Sequence, residues 1–156
     1  MSASVGTVII LRTNNYEKTT HTSSPLNKSF NIWKFMIESP FLDNRERLFE
    51  NEIGFVVFDK YPVNKGHCLV LPHRIYSNYF DSTDEEIIGL NKLIFQTKDY
   101  LDREYQPSGY NIGVNCGQDA GQTVEHLHIH IIPRYPNDVD DPTGGVRGVI
   151  PHKQKY

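Results

Sequence analysis

The chain has 156 residues, of which 38% are hydrophobic, and its formal net charge is −3. This length suits one domain with a single core, and the hydrophobic content excludes a wholly disordered chain. A charge balance so close to neutral argues against a dedicated nucleic-acid binder. It does not exclude a phosphate pocket, because such a pocket needs local donors rather than a basic protein.

The two cysteines, Cys68 and Cys116, lie far apart in the chain and form no C-x-x-C pair. This spacing argues against a disulfide scaffold and a cysteine-based zinc site, and it favours a reducing, cytoplasmic compartment. The apolar run near the N-terminus follows no basic segment and is far shorter than the roughly 20 residues of a membrane span. We therefore expect no secretory signal and no membrane partner.

The first part of the chain predicts an early strand, a polar loop and a short helix. Residues 13–29 are rich in Thr, Ser and Asn and indicate the loop. The helix is predicted over residues 30–38, where apolar residues recur at helical spacing before Pro40. Trp33 and Met36 on this helix are interpreted as core residues.

Two antiparallel strands are predicted next. Apolar runs at residues 53–58 and 67–71 are joined by a turn that contains Pro62 and Gly66. Short strands joined by such a turn favour a hairpin.

The strongest helix signal covers residues 83–105. Ser82 and Glu85 have the S-x-x-E spacing of a capping box, in which each side chain bonds to an amide at the start of the helix. Apolar residues then recur on one predicted face: Ile87, Leu90, Ile94 and Leu101.

Two further strands and a tail complete the prediction. Residues 110–116 alternate between apolar and polar side chains, as in a half-buried strand. A polar loop over residues 117–121 leads to a last strand over residues 123–132, which Pro133 is expected to end. Residues 137–156 are expected to form a tail that is irregular or wraps over another surface. Strands with segregated helices indicate an α+β fold.

Three histidines on the last predicted strand are the most informative feature. Because side chains alternate along a strand, His126, His128 and His130 should share one face, opposite the core residues Leu127, Ile129 and Ile131. Two functional interpretations compete, a metal site and a histidine nucleophile. His126 and His130 would be about 13 Å apart on an extended strand, too far to bind one ion, so the nucleophile is favoured.

The pattern His-φ-His-φ-His-φ-φ, with φ apolar, resembles the signature of the histidine-triad (HIT) superfamily of nucleotide hydrolases and transferases. Residues 126–132 match it at every position, and the segments 120–124 and 59–67 extend the resemblance. The resemblance implies a five-stranded antiparallel sheet with one long and one short helix, and a homodimer. It predicts a catalytic domain over residues 30–136, after an N-terminal extension over residues 1–29.

The resemblance also implies a role for each site residue. His128 would be the nucleophile, with its second ring nitrogen donating to the backbone carbonyl of His126, and His130 would contact phosphate or hold the ring. Gln122 would act beside the phosphates and is placed with these catalytic residues. Substrate-binding residues are the ribose ligand Asp59, the phosphate or ribose ligand Asn115, the phosphate-loop residues Gly121 and Thr123, and the supporting His67.

Several functions remain open. The favoured one is a hydrolase or transferase that cleaves a nucleoside monophosphate conjugate, such as a dinucleoside polyphosphate, through a nucleotidyl-histidine. The alternatives are a phosphoramidase, a non-catalytic nucleotide-binding scaffold and a metal-dependent enzyme. Asp59 is more typical of the phosphoramidase branch, whereas the Ile132-Pro133-Arg134 ending resembles the polyphosphate hydrolases. No cofactor and no protein-bound metal are expected, although magnesium could accompany a polyphosphate substrate.

Overall fold

The computed structural model describes residues 39–156. The predicted early strand and loop (1–29) and the short helix with Trp33 and Met36 lie outside the described residues. Within them, one antiparallel sheet of five strands packs against one long helix, as predicted. The strands are β1 (Phe49–Glu50), β2 (Gly54–Phe58), β3 (Cys68–Pro72), β4 (Gly109–Gly113) and β5 (Ile129–Arg134).

The strands follow the order β1-β2-β3-β5-β4, so β5 lies between β3 and β4. The hairpin of β2 and β3 is confirmed, with Val56 opposite Val70. Across the next pair, Leu69 lies opposite His130. This register places one histidine of the triad on the same sheet face as Leu69.

The last strand differs from its prediction at both ends. Residues 123–128 are not part of it, and Pro133 lies inside it rather than after it. Pairing with β3 ends at Ile131, so at Pro133 the strand is paired only with β4. A proline is tolerated there because no ladder partner on its other side needs an N–H.

The prediction for β4 is also wrong in detail. This strand ends at Gly113, which leaves Asn115 outside it. Its side chains do not alternate in burial, and Ile112 is 49% exposed. Among residues 39–156, β4 pairs only with β5 and forms one edge of the sheet.

The helix, α1 (Asp84–Glu104), matches the prediction, but its capping box lies one residue later than expected. Thr83 accepts from the amide of Glu86, whose carboxylate accepts from the amide of Thr83. Ser82 instead ends the preceding 3-10 turn and bonds to Tyr76. The capping pair therefore keeps the three-residue spacing, shifted by one position.

Both faces of the sheet contain buried apolar side chains. The side chains of β3 and β5 that face α1 include Val70, Ile129 and Ile131, which pack with Leu90, Leu93 and Leu101. Ile87 was predicted on this face but is 37% exposed. The opposite face buries a smaller cluster: Phe55, Val57, Leu69 and Leu71, with Phe41 against them.

The tail that was predicted to be irregular contains two short 3-10 turns, Gly145–Val149 and Pro151–Lys153. The first of them contacts β4. None of the helices found in residues 39–156 is both long and apolar enough to cross a membrane.

Gly89 allows α1 to approach the sheet closely. A Cβ at this position would lie 2.4 Å from Cγ1 and 2.6 Å from Cβ of Ile53. We expect Gly89→Ala to destabilise the fold by about 1–3 kcal/mol, because overpacking outweighs the gain in helix propensity. Chemical denaturation would measure the change.

The matched control is Asn91→Ala at an exposed position of the same helix, which should be slightly stabilising because alanine has the higher helix propensity. A Gly89→Ala protein that is more stable than the wild type would contradict the close packing of Gly89 on Ile53.

Candidate active site

The imidazole of His128 has a defined tautomer. Its Nδ1 lies 2.7 Å from the backbone carbonyl oxygen of His126. A carbonyl oxygen only accepts, so Nδ1 carries a proton, and in the neutral ring Nε2 keeps a free lone pair. The His128 side chain is 8% exposed and lies just before β5, where it lines a cleft.

His126 is fully buried and does not line the cleft. Its Nε2 lies 2.9 Å from the carbonyl oxygen of Pro72, and its Nδ1 lies 2.6 Å from the hydroxyl of Ser39. Burial lowers the pKa of His126, although the bond to Pro72 opposes this effect. The prediction that all three histidines lie on one strand is wrong, because only His130 belongs to β5. The rings of His128 and His130 nevertheless both line the cleft, 5.1 Å apart between centroids.

His130 and His67 are joined through their ring nitrogens, 3.0 Å apart. The amide of Val63 donates to Nδ1 of His67 at 3.3 Å. In this arrangement Nε2 of His67 carries the proton and donates to Nδ1 of His130, so Nε2 of His130 is a donor. Asp59 lies 3.4 Å from Nδ1 of His67 and completes this group.

Burial keeps these two histidines uncharged. It lowers the pKa of His67, an effect that the nearby carboxylate of Asp59 partly offsets. Burial lowers the pKa of His130 to about 4, and the neighbouring His128 and His67 add to the shift. Near neutral pH both rings are therefore neutral.

Asp59, His67 and His130 could be considered a metal site, because their ligand atoms lie within 4.8 Å of one another. In this structure, however, His67 uses both ring nitrogens in hydrogen bonds. A zinc ion would need a free lone pair on each ligand, at about 2.0–2.1 Å. The contacts of His67 do not fit a resident metal.

The cleft has a volume of about 390 Å³ and lies on the sheet face opposite α1. It brings together four residues predicted from the sequence: Asp59, Thr123, His128 and His130. His67 supports this group from behind His130, and His126 contributes its backbone carbonyl.

Three other predicted residues do not line the cleft: Gln122, Asn115 and Gly121. The side chain of Gln122 is used in backbone bonds, accepting from Gly117 and donating to Ser77 and Val124. The backbone amide of Gly121, predicted to belong to a phosphate loop, donates to the carbonyl of Gln118, and that of Gln122 donates to the carbonyl of Gly117.

The sequence prediction missed the residues that form the opposite wall of the cleft. The ring of Phe41 lies 5.0 Å from that of His128, between centroids. Arg45 makes a two-bond ion pair with Asp43, at 2.6 and 2.8 Å, and Lys60 lines the same cleft. The Ser39-Pro40 pair was the available signal, because Ser at the N-cap before Pro marks the start of a helical turn.

A sequence model described as the HIT domain matches residues 43–137, which is more than half of the chain. The chain belongs to the HIT family. The HIT match covers every histidine described above and most of the cleft, whose remaining lining residues are Pro40 and Phe41.

Relatives of known name support the assignment to the HIT family. The AP-4-A phosphorylase of Mycobacterium tuberculosis is 35% identical over 119 residues, which are 73% of this chain and 60% of that protein. The bis(5'-adenosyl)-triphosphatase of Dictyostelium discoideum is 36% identical over 96 residues, or 62% of this chain and 64% of that protein. The chain thus spans less than two thirds of the length of these relatives.

A solved structure gives the same fold. The crystal structure of a HIT family member from Bacillus subtilis superposes with a TM-score of 0.57 at 32% identity. The match covers 69% of this chain and 72% of that one. The predicted HIT-like sheet is therefore confirmed.

The neutral histidines of this HIT site predict a pH dependence of stability. His67, His126 and His130 have lowered pKa values in the fold, whereas an unfolded chain takes up protons at about pH 6.5. Their contribution to the free energy of unfolding is complete above that pH and is lost as the pH falls towards 4. Urea unfolding between pH 7.5 and 5 should show the loss.

His130→Gln should make this decline shallower, because one proton-binding group is removed from the unfolded chain. His152→Gln, at an exposed position in the tail, is the matched control and should leave the decline unchanged. Equal urea midpoints at pH 7 and pH 5 in the wild type would argue against neutral buried rings.

Proposed function

We propose that this protein is a nucleotide hydrolase or nucleotidyl transferase in which His128 attacks an α-phosphorus. The observation that carries the proposal is the hydrogen bond from Nδ1 of His128 to the carbonyl of His126. In the neutral ring it leaves the lone pair on Nε2, on a residue that lines the cleft. An imidazole nitrogen with a free lone pair is a competent nucleophile near neutral pH.

The reaction takes place in two displacements. The lone pair on Nε2 of His128 forms an N–P bond, and the bond from phosphorus to the bridging oxygen breaks. The leaving phosphate departs with that electron pair and takes a proton from solvent. An acceptor oxygen, from water or another phosphate, then bonds to phosphorus, the N–P electron pair returns to Nε2, and the acceptor's proton passes to solvent.

Nearby side chains suit the charge and shape of such a substrate. His130 offers an N–H donor without carrying charge, and Thr123 offers a hydroxyl at the same cleft. Asp59 can accept from ribose hydroxyls. Magnesium would enter with a polyphosphate substrate, because the protein residues described above provide no dedicated metal site.

The names of the two relatives support a diadenosine polyphosphate as substrate. One is a phosphorylase of AP-4-A and the other a triphosphatase of a bis-adenosyl compound. A P–O–P substrate is therefore favoured over a P–N substrate. The acceptor is left to experiment, since phosphate as acceptor yields a nucleoside diphosphate and water yields a monophosphate.

Covalent catalysis predicts a trapped intermediate. The protein is mixed with diadenosine tetraphosphate for milliseconds and quenched in alkaline denaturant, because N–P bonds to histidine are labile in acid. We expect intact-protein mass spectrometry to show one added adenylyl group. His128→Ala should lose the adduct and lower kcat by about a thousandfold or more.

His152→Ala is the matched control and should form the adduct normally. If nucleotide binds equally to the wild type and His128→Ala but neither turns it over, the protein is a binding scaffold. Turnover without an adduct, abolished by a chelator, would support the metal-dependent alternative. Parallel assays with a nucleoside phosphoramidate, and with and without phosphate, identify the leaving group and the acceptor.

We also propose that the protein forms a homodimer through β4. This strand is an edge of the sheet in the described part of the chain, and it exposes 49% of Ile112. Exposed apolar residues of the adjacent tail extend the surface: Val146, Val149 and Ile150. An unpaired edge beside apolar surface favours strand addition by a second copy.

Ile112→Arg should convert the dimer to a monomer at micromolar concentration, because it places a charge in the interface. Light scattering with size-exclusion chromatography measures the mass. Ile88→Arg, on an exposed position of α1, is the matched control and should remain dimeric. A wild-type protein that is monomeric at these concentrations would exclude the proposal.

A further inference from the structure

Ser39 joins the two walls of the cleft through one hydroxyl group. Its Oγ accepts from the amide of Phe41 at 3.2 Å and lies 2.6 Å from Nδ1 of His126. The residue is only 8% exposed. One wall is the 3-10 turn Pro40–Leu42, which Ser39 caps, and the other is the histidine segment that leads into β5.

The direction of each bond follows from the partners. The carbonyl of Pro72 can only accept, so Nε2 of His126 carries its proton. In the neutral ring Nδ1 is then an acceptor, and the hydroxyl of Ser39 must donate to it. The same oxygen accepts from Phe41, so the donor and an acceptor site of Ser39 are both used.

The hydroxyl of Ser39 is the partner of Nδ1 of His126 in a site closed to solvent. The ring is fully buried, and every buried polar side-chain atom among the described residues has a partner. Removing the hydroxyl would leave Nδ1 of His126 without a donor in a place where an unmet hydrogen bond is costly. The ring would then turn or change its tautomer, and the backbone of residue 126 would move with it.

We propose that Ser39 is a positioning residue for His128. The hydroxyl of Ser39 fixes the ring of His126, whose backbone carbonyl in turn fixes the proton on Nδ1 of His128. It also fixes Phe41, whose ring lies 5.0 Å from that of His128. The expected effect on kcat rests on the proposed function, whereas the expected effect on the histidine tautomers does not.

The position of Phe41 beside His128 also affects the charge that the His128 ring acquires during the reaction. When Nε2 of His128 bonds to phosphorus and Nδ1 keeps its proton, the ring carries a positive charge. An aromatic ring within about 6 Å of a cation can stabilise it. Ser39 thus holds two neighbours of the charged ring, the carbonyl of His126 and the ring of Phe41.

The test compares Ser39→Thr with Ser39→Val, which have nearly the same volume and differ by the hydroxyl. Long-range proton–nitrogen NMR spectra of the ligand-free protein report the tautomer of each histidine. We expect the wild type and Ser39→Thr to hold the proton of His126 on Nε2 and that of His128 on Nδ1. In Ser39→Val both rings should become mixtures of tautomers.

The kinetic assay should show a change in kcat without a matching change in KM. Ser39→Val should lower kcat by about tenfold to a hundredfold, because a misplaced nucleophile reacts slowly, with KM within about twofold of the wild type. Ser39→Thr should restore most of kcat. Ser82→Ala is the matched control, since it removes a hydroxyl bonded to Tyr76 away from the cleft and should change neither readout.

Unchanged tautomers in Ser39→Val would overturn the proposal, whether or not kcat falls, because the residue would then act only on folding. The NMR measurement decides the question even if the wild type shows no turnover, so failure of the proposed function and failure of this inference are distinguishable. If Ser39→Val does not fold, Ser39→Ala replaces it at lower temperature with the same two readouts.

Discussion

The site depends on one short hydrogen bond, from Nδ1 of His128 to the backbone carbonyl of His126. A carbonyl can hold only one of the two neutral tautomers, so this bond determines which ring nitrogen can react. The backbone at residue 126 must therefore be rigid. It is held by the ring of His126, by Ser39 and Pro72, and by the bond from the amide of Leu127 to the carbonyl of Tyr76.

The two faces of the sheet have different roles, since one packs against α1 and the other carries the cleft. The side chains of β5 alternate, so Ile129 and Ile131 pack under α1 while His130 points to the face with the cleft. The same register pairs His130 with Leu69 on β3 and brings His67 beside it. Changes to the helix side can thus alter stability while the cleft keeps its geometry.

Much of this arrangement could be predicted because it follows from local patterns. The long helix, the hairpin of β2 and β3, and the burial of Leu127, Ile129 and Ile131 all follow from periodicity. The start of β5 could not be predicted, because residues before it bend to meet partners that are distant in sequence. His126 bonds to Ser39, 87 residues away, and to Pro72, 54 residues away.

Gln122 illustrates a second limit of the sequence. An amide side chain can bind a phosphate or close a loop equally well, and the neighbouring residues do not distinguish the two uses. In this fold it closes the loop, with bonds to Gly117, Ser77 and Val124. Such a choice depends on which backbone groups lie within reach, and only the tertiary structure determines that.

The neutral histidines have a consequence for how a substrate arrives. Among the described residues that line the cleft, the formal charges of Asp43 and Asp59 balance those of Arg45 and Lys60. With the uncharged imidazole of His130 beside them, these four residues give the cleft no net positive charge, and the whole chain has a net charge of −3. A polyanion would therefore gain little from long-range attraction by these groups. Capture would depend on contacts made after the encounter, and added salt should not slow it, because there is no long-range attraction to screen.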